Sequence, residues 1–419
     1  MEKAIYNSEV FGINEKTVSA VSKICAAFLV FCPILQHYKA PVFNAGVFVL
    51  IIVSFWLMAL TAGNIKNIKV KDIMPMVPMM IYLVFRVVNH GTSVTEFGQS
   101  GVIGIFMLSM ILGCIDLKNY VRFASYIAIF ASACLVMQYI CFYIFGFHLQ
   151  MVPTELLIDS ADQWILGAKT GLYGITGVLR DTYRPSAFFL EPSHAYLYMF
   201  PHLVFFLFSE KDKKHSLYPA IFISLGLVLS TSGMGIVAAA AIWILYFILR
   251  DKESGSFSVK NIFRPEVLKI FAAFIALFIV LMIVVPFFRE AVTRIFIPKE
   301  VGGSSAIEGR IKKALQLLDG MTLKDYINGV RDNTSGITFN IPGFADVLYR
   351  HGIIGMVLSY SVYVFAVFKS SLPCSIVSLG VLATSLASVH THATVGIINF
   401  SMLIMSGYVR KEKKVRDID

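Results

Sequence analysis

Twelve mostly apolar stretches recur along the chain, at 18–36, 43–62, 73–89, 100–115, 121–146, 188–209, 217–231, 234–249, 267–288, 343–368, 372–388 and 394–409. A helix that crosses a bilayer needs about 20 such residues, because each residue advances the axis by only 1.5 Å. The chain is 57% hydrophobic and 15% charged, with a mean hydropathy of +0.73. Soluble domains carry roughly 25% charged residues, so an aqueous fold could not hide this much apolar surface. The expectation is an all-α polytopic membrane helix bundle of about twelve transmembrane helices. It forms a single integral membrane domain over 1–419.

Charge placement gives the orientation, since Lys and Arg concentrate on the cytoplasmic side of short loops. Alternate segments hold Lys66, Lys69 and Lys71; Lys118 and Arg122; Lys211, Lys213 and Lys214; and Arg410, Lys411, Lys413, Lys414 and Arg416. The short loops of the opposite set hold only Lys39. Both ends are therefore expected in the cytoplasm. The first seventeen residues lack a basic stretch leading to a small-residue cleavage site, so no removable signal peptide is expected. The net charge of +10 lies in these short clusters between apolar runs, which argues for a membrane and against nucleic acid as the partner. All six cysteines fall inside the apolar stretches and read as small buried hydrophobes.

Two long segments, 147–187 and 289–342, fall on the external side. Long loops need not obey the charge rule, so their charges are candidates for chemistry. The first loop closes on Tyr183, Arg184 and Pro185 and enters a span through Glu191, Pro192 and His194. Pro192 suits the first turn of a helix, where its missing N–H goes unused. Glu191 and His194 then lie within one turn of each other at the external mouth, and Pro185 holds Arg184 extended. The plain reading of these residues is a snorkelling arginine and a capping carboxylate. The sharper one is a cation, a carboxylate and an imidazole gathered at one membrane boundary.

In the second loop Ile311, Ala314, Leu315 and Leu318 repeat at helical spacing near 310–321, with Arg310, Lys313 and Gln316 largely off that stripe. This predicts an amphipathic helix on the outer membrane surface. There Arg310 could clamp an anionic headgroup through its planar fork. Arg86 lies deep in the third span, and an intramembrane charge is a functional candidate. Asp346 and Arg350 are four residues apart at the start of the tenth span and are expected to pair, with His351 adjacent. His390 and His392 are too few to make a convincing metal site. No nucleotide loop, dinucleotide fingerprint or metalloprotease motif is present. No cofactor is expected, and any reaction must use a substrate activated elsewhere.

The run from Arg184 to Ser193 resembles the Arg-Pro-x-x-x-Phe-x-Glu-Pro-Ser stretch of bacterial polysaccharide repeat-unit polymerases of the O-antigen polymerase (Wzy) type. Ser230, Thr231, Ser232 and Gly233 resemble the Ser-x-Ser-Gly turn that follows in that family. Arg310 stands where its second large external loop carries an arginine. The run from Asp346 to Gly355 resembles its later helix start ending in Gly-Ile-Ile-Gly. The resemblance covers about 180–356 in the same order. The related O-antigen ligases place a His-Asn pair where this chain has Ile341 and Pro342. That departure favours a polymerase and leaves the general base open.

The resemblance implies a multi-span glycosyltransferase of the bacterial cytoplasmic (inner) membrane, with its site facing outward. It would move a growing O-antigen, capsule or exopolysaccharide glycan from undecaprenyl diphosphate onto the terminal sugar of a new lipid-linked repeat unit. The implied partners are undecaprenyl-diphosphate-linked glycans, the bilayer, a chain-length regulator and other polysaccharide-assembly proteins. Arg184 and Arg310 would stabilise the leaving diphosphate. Glu191 would activate the acceptor hydroxyl or orient an arginine, with His194 a second candidate for that proton. Tyr183, Lys313, Arg350, His351 and Arg86 complete the expected substrate-binding set. The alternatives are a ligase that passes the finished chain to another acceptor and a lipid-linked oligosaccharide transporter. The transporter predicts charges through the bundle centre and two related halves.

Overall fold

The fold is given by a computed structural model that describes residues 15–39, 44–64, 76–90, 94–153, 156, 184–208, 213–250, scattered positions between 269 and 293, 306–330, 341–386 and 394–416. Tyr183, His390, His392, most of the first external loop and most of the expected span 267–288 lie outside these residues. The described residues are helical, with no strand beyond an isolated bridge between Lys39 and Asn44.

The helices in chain order are α1 (Glu15–Leu29), α2 (Cys32–Leu35), α3 (Ala45–Asn64), α4 (Val77–His90), α5 (Val94–Ile111), α6 (Leu117–Tyr143), α7 (Pro192–Phe208), α8 (Lys213–Leu229), α9 (Gly233–Leu249), α10 (Ala306–Asp319), α11 (Leu323–Asn328), α12 (Gly343–Lys369), α13 (Leu372–Ser385) and α14 (Thr394–Arg416). Among the described residues, four segments are long and apolar enough to cross a membrane: Thr17–Leu35, Ala45–Ala62, Leu117–Tyr143 and Gly343–Lys369. Shorter apolar helices stand at six of the other expected spans, among them Val77–Asn89, Phe97–Ile111 and Val395–Gly407. Large apolar side chains line the outside of these helices. On α3 they include Phe48, Ile52, Phe55 and Trp56, and on α12 Ile353, Ile354, Val357, Val364 and Phe368. Such stripes suit lipid and would be a liability in water.

The chain forms two compact units. One holds residues 1–124 and 309–419, the other 125–308. In the first, α3 packs on α5, and α5, α4, α12, α13 and α14 follow one another around a closed ring. Several hydroxyls are paired inside it. The Ser22 hydroxyl donates to the Cys114 carbonyl at 2.8 Å, Thr61 and Ser109 share a hydrogen bond of 2.8 Å, and the Tyr120 hydroxyl donates to the Asn399 side chain. Helix α12 is broken at Gly352, whose φ of +63° and ψ of −172° are not helical. The break strands the Tyr349 carbonyl, which accepts the Val330 N–H at 2.7 Å instead. Gly329, itself at φ +84°, lies directly against the Arg350 and His351 backbone, and Gly352 against that of Ile327 and Asn328. A side chain on either glycine would collide with backbone. The break is thus made by two glycines crossing, and the Asn89 amide locks it by donating to the Asn328 carbonyl.

In the second unit α7, α8 and α9 pack pairwise. Nearly every side chain of α7 is buried, as expected for a helix hydrophobic all round. Gly226 of α8 lets the helix approach Ser132 of α6, where a Cβ would lie 2.9 Å from the serine Cα. His202 of α7 meets the Ser125 hydroxyl at 3.0 Å. The expected tight hairpin between 217–231 and 234–249 forms as α8 and α9. Ser230 closes α8 by donating to the Leu227 carbonyl at 2.7 Å, and the Ser232 side chain caps α9 by accepting the Gly235 N–H. Between them Thr231 sits at φ +53°, a left-handed backbone that costs a β-branched residue about 1–2 kcal/mol.

Candidate functional site

The segment 184–191 enters α7 as a sharp elbow. Glu191 ends it: its carbonyl accepts the N–H of His194 at 3.0 Å and of Ala195 at 3.2 Å, so the helix starts at Pro192, as expected. The Ser193 hydroxyl donates to Glu191 Oε2 at 3.0 Å, which fixes the carboxylate beside the positive end of the helix dipole. His194 is buried on the first turn, and Arg184 is half-buried at the first residue of the elbow.

The elbow is fastened to α6 by a residue that the sequence reading passed over. Gln138 is 3% exposed. Its side-chain oxygen accepts the N–H of Ser186 at 3.2 Å and of Ala187 at 2.7 Å. Its side-chain nitrogen donates to the carbonyls of Ala187 at 3.3 Å and Leu149 at 3.2 Å. Ala187, fully buried, is held at φ +54°, a strain of about 1–2 kcal/mol. Two turns before Gln138 on α6, the Phe130 ring stacks on Phe188 with centroids 5.8 Å apart. The signal in the sequence was a lone glutamine inside an apolar span, since an unsatisfied amide there is costly.

The other unit carries a second polar group. Arg86 of α4 is 5% exposed. Its guanidinium donates to Gln99 Oε1 at 3.3 Å and lies 5.8 Å from the Tyr82 ring centroid. Tyr82 meets the His351 ring edge-on at 5.4 Å. Asp346 and Arg350 form the ion pair that their spacing predicts, at 2.8 Å. Arg86, Tyr82 and His351 thus meet next to the broken turn of α12, with Arg350 one residue away. The break itself was not foreseen, because a glycine inside an apolar run carries no sign of its φ.

Helix α10 is the amphipathic helix expected near 310–321, but its faces differ from the expected stripe. Ala314, Leu317 and Met321 are buried and Arg310 on the same side is half-buried, whereas Ile311 and Leu315 are 49% and 61% exposed. The helix packs on the protein through the line 310, 314, 317, where Ala314 is small enough to permit close approach. Ile311 and Leu315 are left to the outside with Lys312 and Lys313. A capping box then starts α11. The Thr322 side chain accepts the Asp325 N–H, while the Thr322 hydroxyl and N–H donate to Asp325 Oδ2 at 2.6 and 3.0 Å. These donors, the hydroxyl foremost, hold the Asp325 carboxyl below the usual carboxylate range. The Tyr326 hydroxyl donates back to the Leu318 carbonyl at 2.9 Å, joining the two helices.

The structure therefore groups Arg184, Glu191 and His194 in one unit, and Arg86, Arg310, Lys313, Arg350 and His351 in the other. Among the described residues no group of three His, Cys, Asp or Glu side chains could hold a metal ion. Comparison with protein-family models, with curated proteins and with solved structures gives no match.

Proposed function

We propose that this chain is a polymerase of lipid-linked oligosaccharide repeat units, a twelve-span protein of the bacterial cytoplasmic membrane with both ends inside and its site facing outward. It transfers the growing glycan from undecaprenyl diphosphate to the terminal sugar of a new undecaprenyl-diphosphate-linked unit. The observation that carries the reading is the 184–191 elbow. The residues of the family-like motif are the ones that the Gln138 clamp and the Pro192 helix start hold in a fixed shape.

In the reaction the bond between the anomeric carbon and the diphosphate oxygen breaks, and its electron pair leaves with the undecaprenyl diphosphate. The acceptor hydroxyl forms the new glycosidic bond and gives up its proton. Arg184 and Arg310 stabilise the charge on lipid diphosphates, electrostatic work that is often the largest catalytic contribution. Glu191, oriented by Ser193, receives the acceptor proton. His194 and Tyr183 bind substrate with Arg184, Lys313 does so with Arg310, and Arg86, Arg350 and His351 form a further anion-binding group. The apolar outer faces of the spanning helices accommodate polyprenyl tails.

The test is the surface glycan of a strain lacking this protein. Loss of every length beyond a single repeat unit is the expected outcome. Full-length chains stranded on the lipid carrier would instead mark a ligase, and single units trapped on the inner leaflet a transporter.

A further inference from the structure

We infer that Gln138 is a positioning residue for the 184–191 elbow, setting the directions of Arg184 and Glu191 without touching substrate. The inference rests on the reading above that this elbow handles a lipid-linked diphosphate.

A glutamine side chain offers two acceptor sites and two donors. Gln138 uses all four on backbone groups: it accepts from Ser186 and Ala187 and donates to Ala187 and Leu149. Ala187 is thus gripped at both its N–H and its C=O, which defines the plane of the peptides on either side of it. That grip accounts for the left-handed backbone at φ +54° in a residue that avoids it. The turn at Ala187 in turn separates the extended start at Arg184 and Pro185 from the helix start at Glu191 and Pro192. Rotating the 187 peptide would swing the two functional side chains relative to each other.

No other residue type reproduces the grip. Glutamate keeps the acceptors and loses both donors, methionine keeps the length and loses everything polar, and asparagine is one methylene too short. The helix that supplies Gln138 is itself fixed nearby. Ser132 packs on Gly226 of α8 and Ser125 bonds His202 of α7, both within the same unit. The clamp therefore refers the elbow to the α7–α9 bundle and not to a mobile loop.

The experiment uses the full-length protein in lipid nanodiscs with Gln138→Met and Gln138→Glu. Backbone hydrogen exchange at Ser186 and Ala187 is read first, because it needs no substrate. Exchange at both amides should rise at least about tenfold in Gln138→Met and less in Gln138→Glu, with α7, α8 and α9 protected as in the wild type. Turnover of a purified lipid-linked repeat unit is read second. kcat should fall by about a hundredfold in Gln138→Met, the scale of a 1 Å misplacement, with Gln138→Glu intermediate and KM within about threefold of wild type. Unchanged exchange in Gln138→Met would show that the clamp does not exist in the membrane and would overturn the inference. Raised exchange with wild-type kcat would overturn it too, leaving Gln138 a loop fastener only. If the wild type fails to extend any lipid-linked unit, the reading of the function falls and the positioning role falls with it. The exchange data still decide the clamp by themselves.

Discussion

At the scale of single residues, the two candidate acids sit in different surroundings and should fail differently. Glu191 accepts the Ser193 hydroxyl at a helix start, whereas Asp346 is 8% exposed and pairs with Arg350 at 2.8 Å within α12. Glu191→Gln should therefore lower chain extension by about 10²-fold or more with little change in stability. Asp346→Asn strands a guanidinium and should act mainly on thermal stability. Turnover and unfolding temperature of the two purified variants check this, and the reverse order would move the base elsewhere. Arg184→Ala and Arg310→Ala should each lower extension by about 10²–10³-fold at normal protein level, with carriers bearing single units accumulating. Normal long chains in both would remove the diphosphate role.

At the scale of elements, the crossing of α11 and the broken α12 depends on two glycines. Gly352→Ala adds a methyl against the Ile327 carbonyl and places a side chain at φ +63°. The loss should be on the order of 3 kcal/mol, read as a lowered unfolding temperature in detergent. A wild-type value would show that the break is not made in this way. The turn from α10 to α11 should respond to pH. Asp325 titrates below its unfolded value, so its capping contribution is complete above the ordinary carboxylate range and is lost as pH falls through the lowered value. Exchange protection of 322–328, corrected for intrinsic rates, should therefore weaken below about pH 4. Asp325→Asn should abolish that dependence, and protection that stays flat in the wild type would exclude it.

At the scale of the whole molecule, the alternation of basic loops predicts which surface each loop meets. A single cysteine placed at Lys39 should react with a membrane-impermeant thiol reagent added to intact cells. One placed at Lys69 or Lys214 should react only after permeabilisation. Equal labelling of all three would dismantle the twelve-span arrangement. Helix α6, at 27 residues, exceeds the length that a bilayer requires. The shorter apolar helices fit only if the bilayer thins or the helices extend beyond their regular turns.

Hydrophobic runs are local in sequence, so the chain alone determined that it is helical and suited to a bilayer, and roughly where most of the described apolar helices lie. The i, i+4 pair of Asp346 and Arg350 was legible for the same reason, as was the helix start at Pro192. The sequence also named Arg184, Glu191 and His194, because they stand close together along the chain. Only the tertiary structure decided the left-handed turn at Ala187 and its grip by Gln138, 49 residues away. It alone decided the helix break at Gly352, and that Arg310 shares the packed side of its helix with Ala314 and Leu317. Each of these depends on which backbone groups meet across the fold, and spacing along the chain records nothing of that.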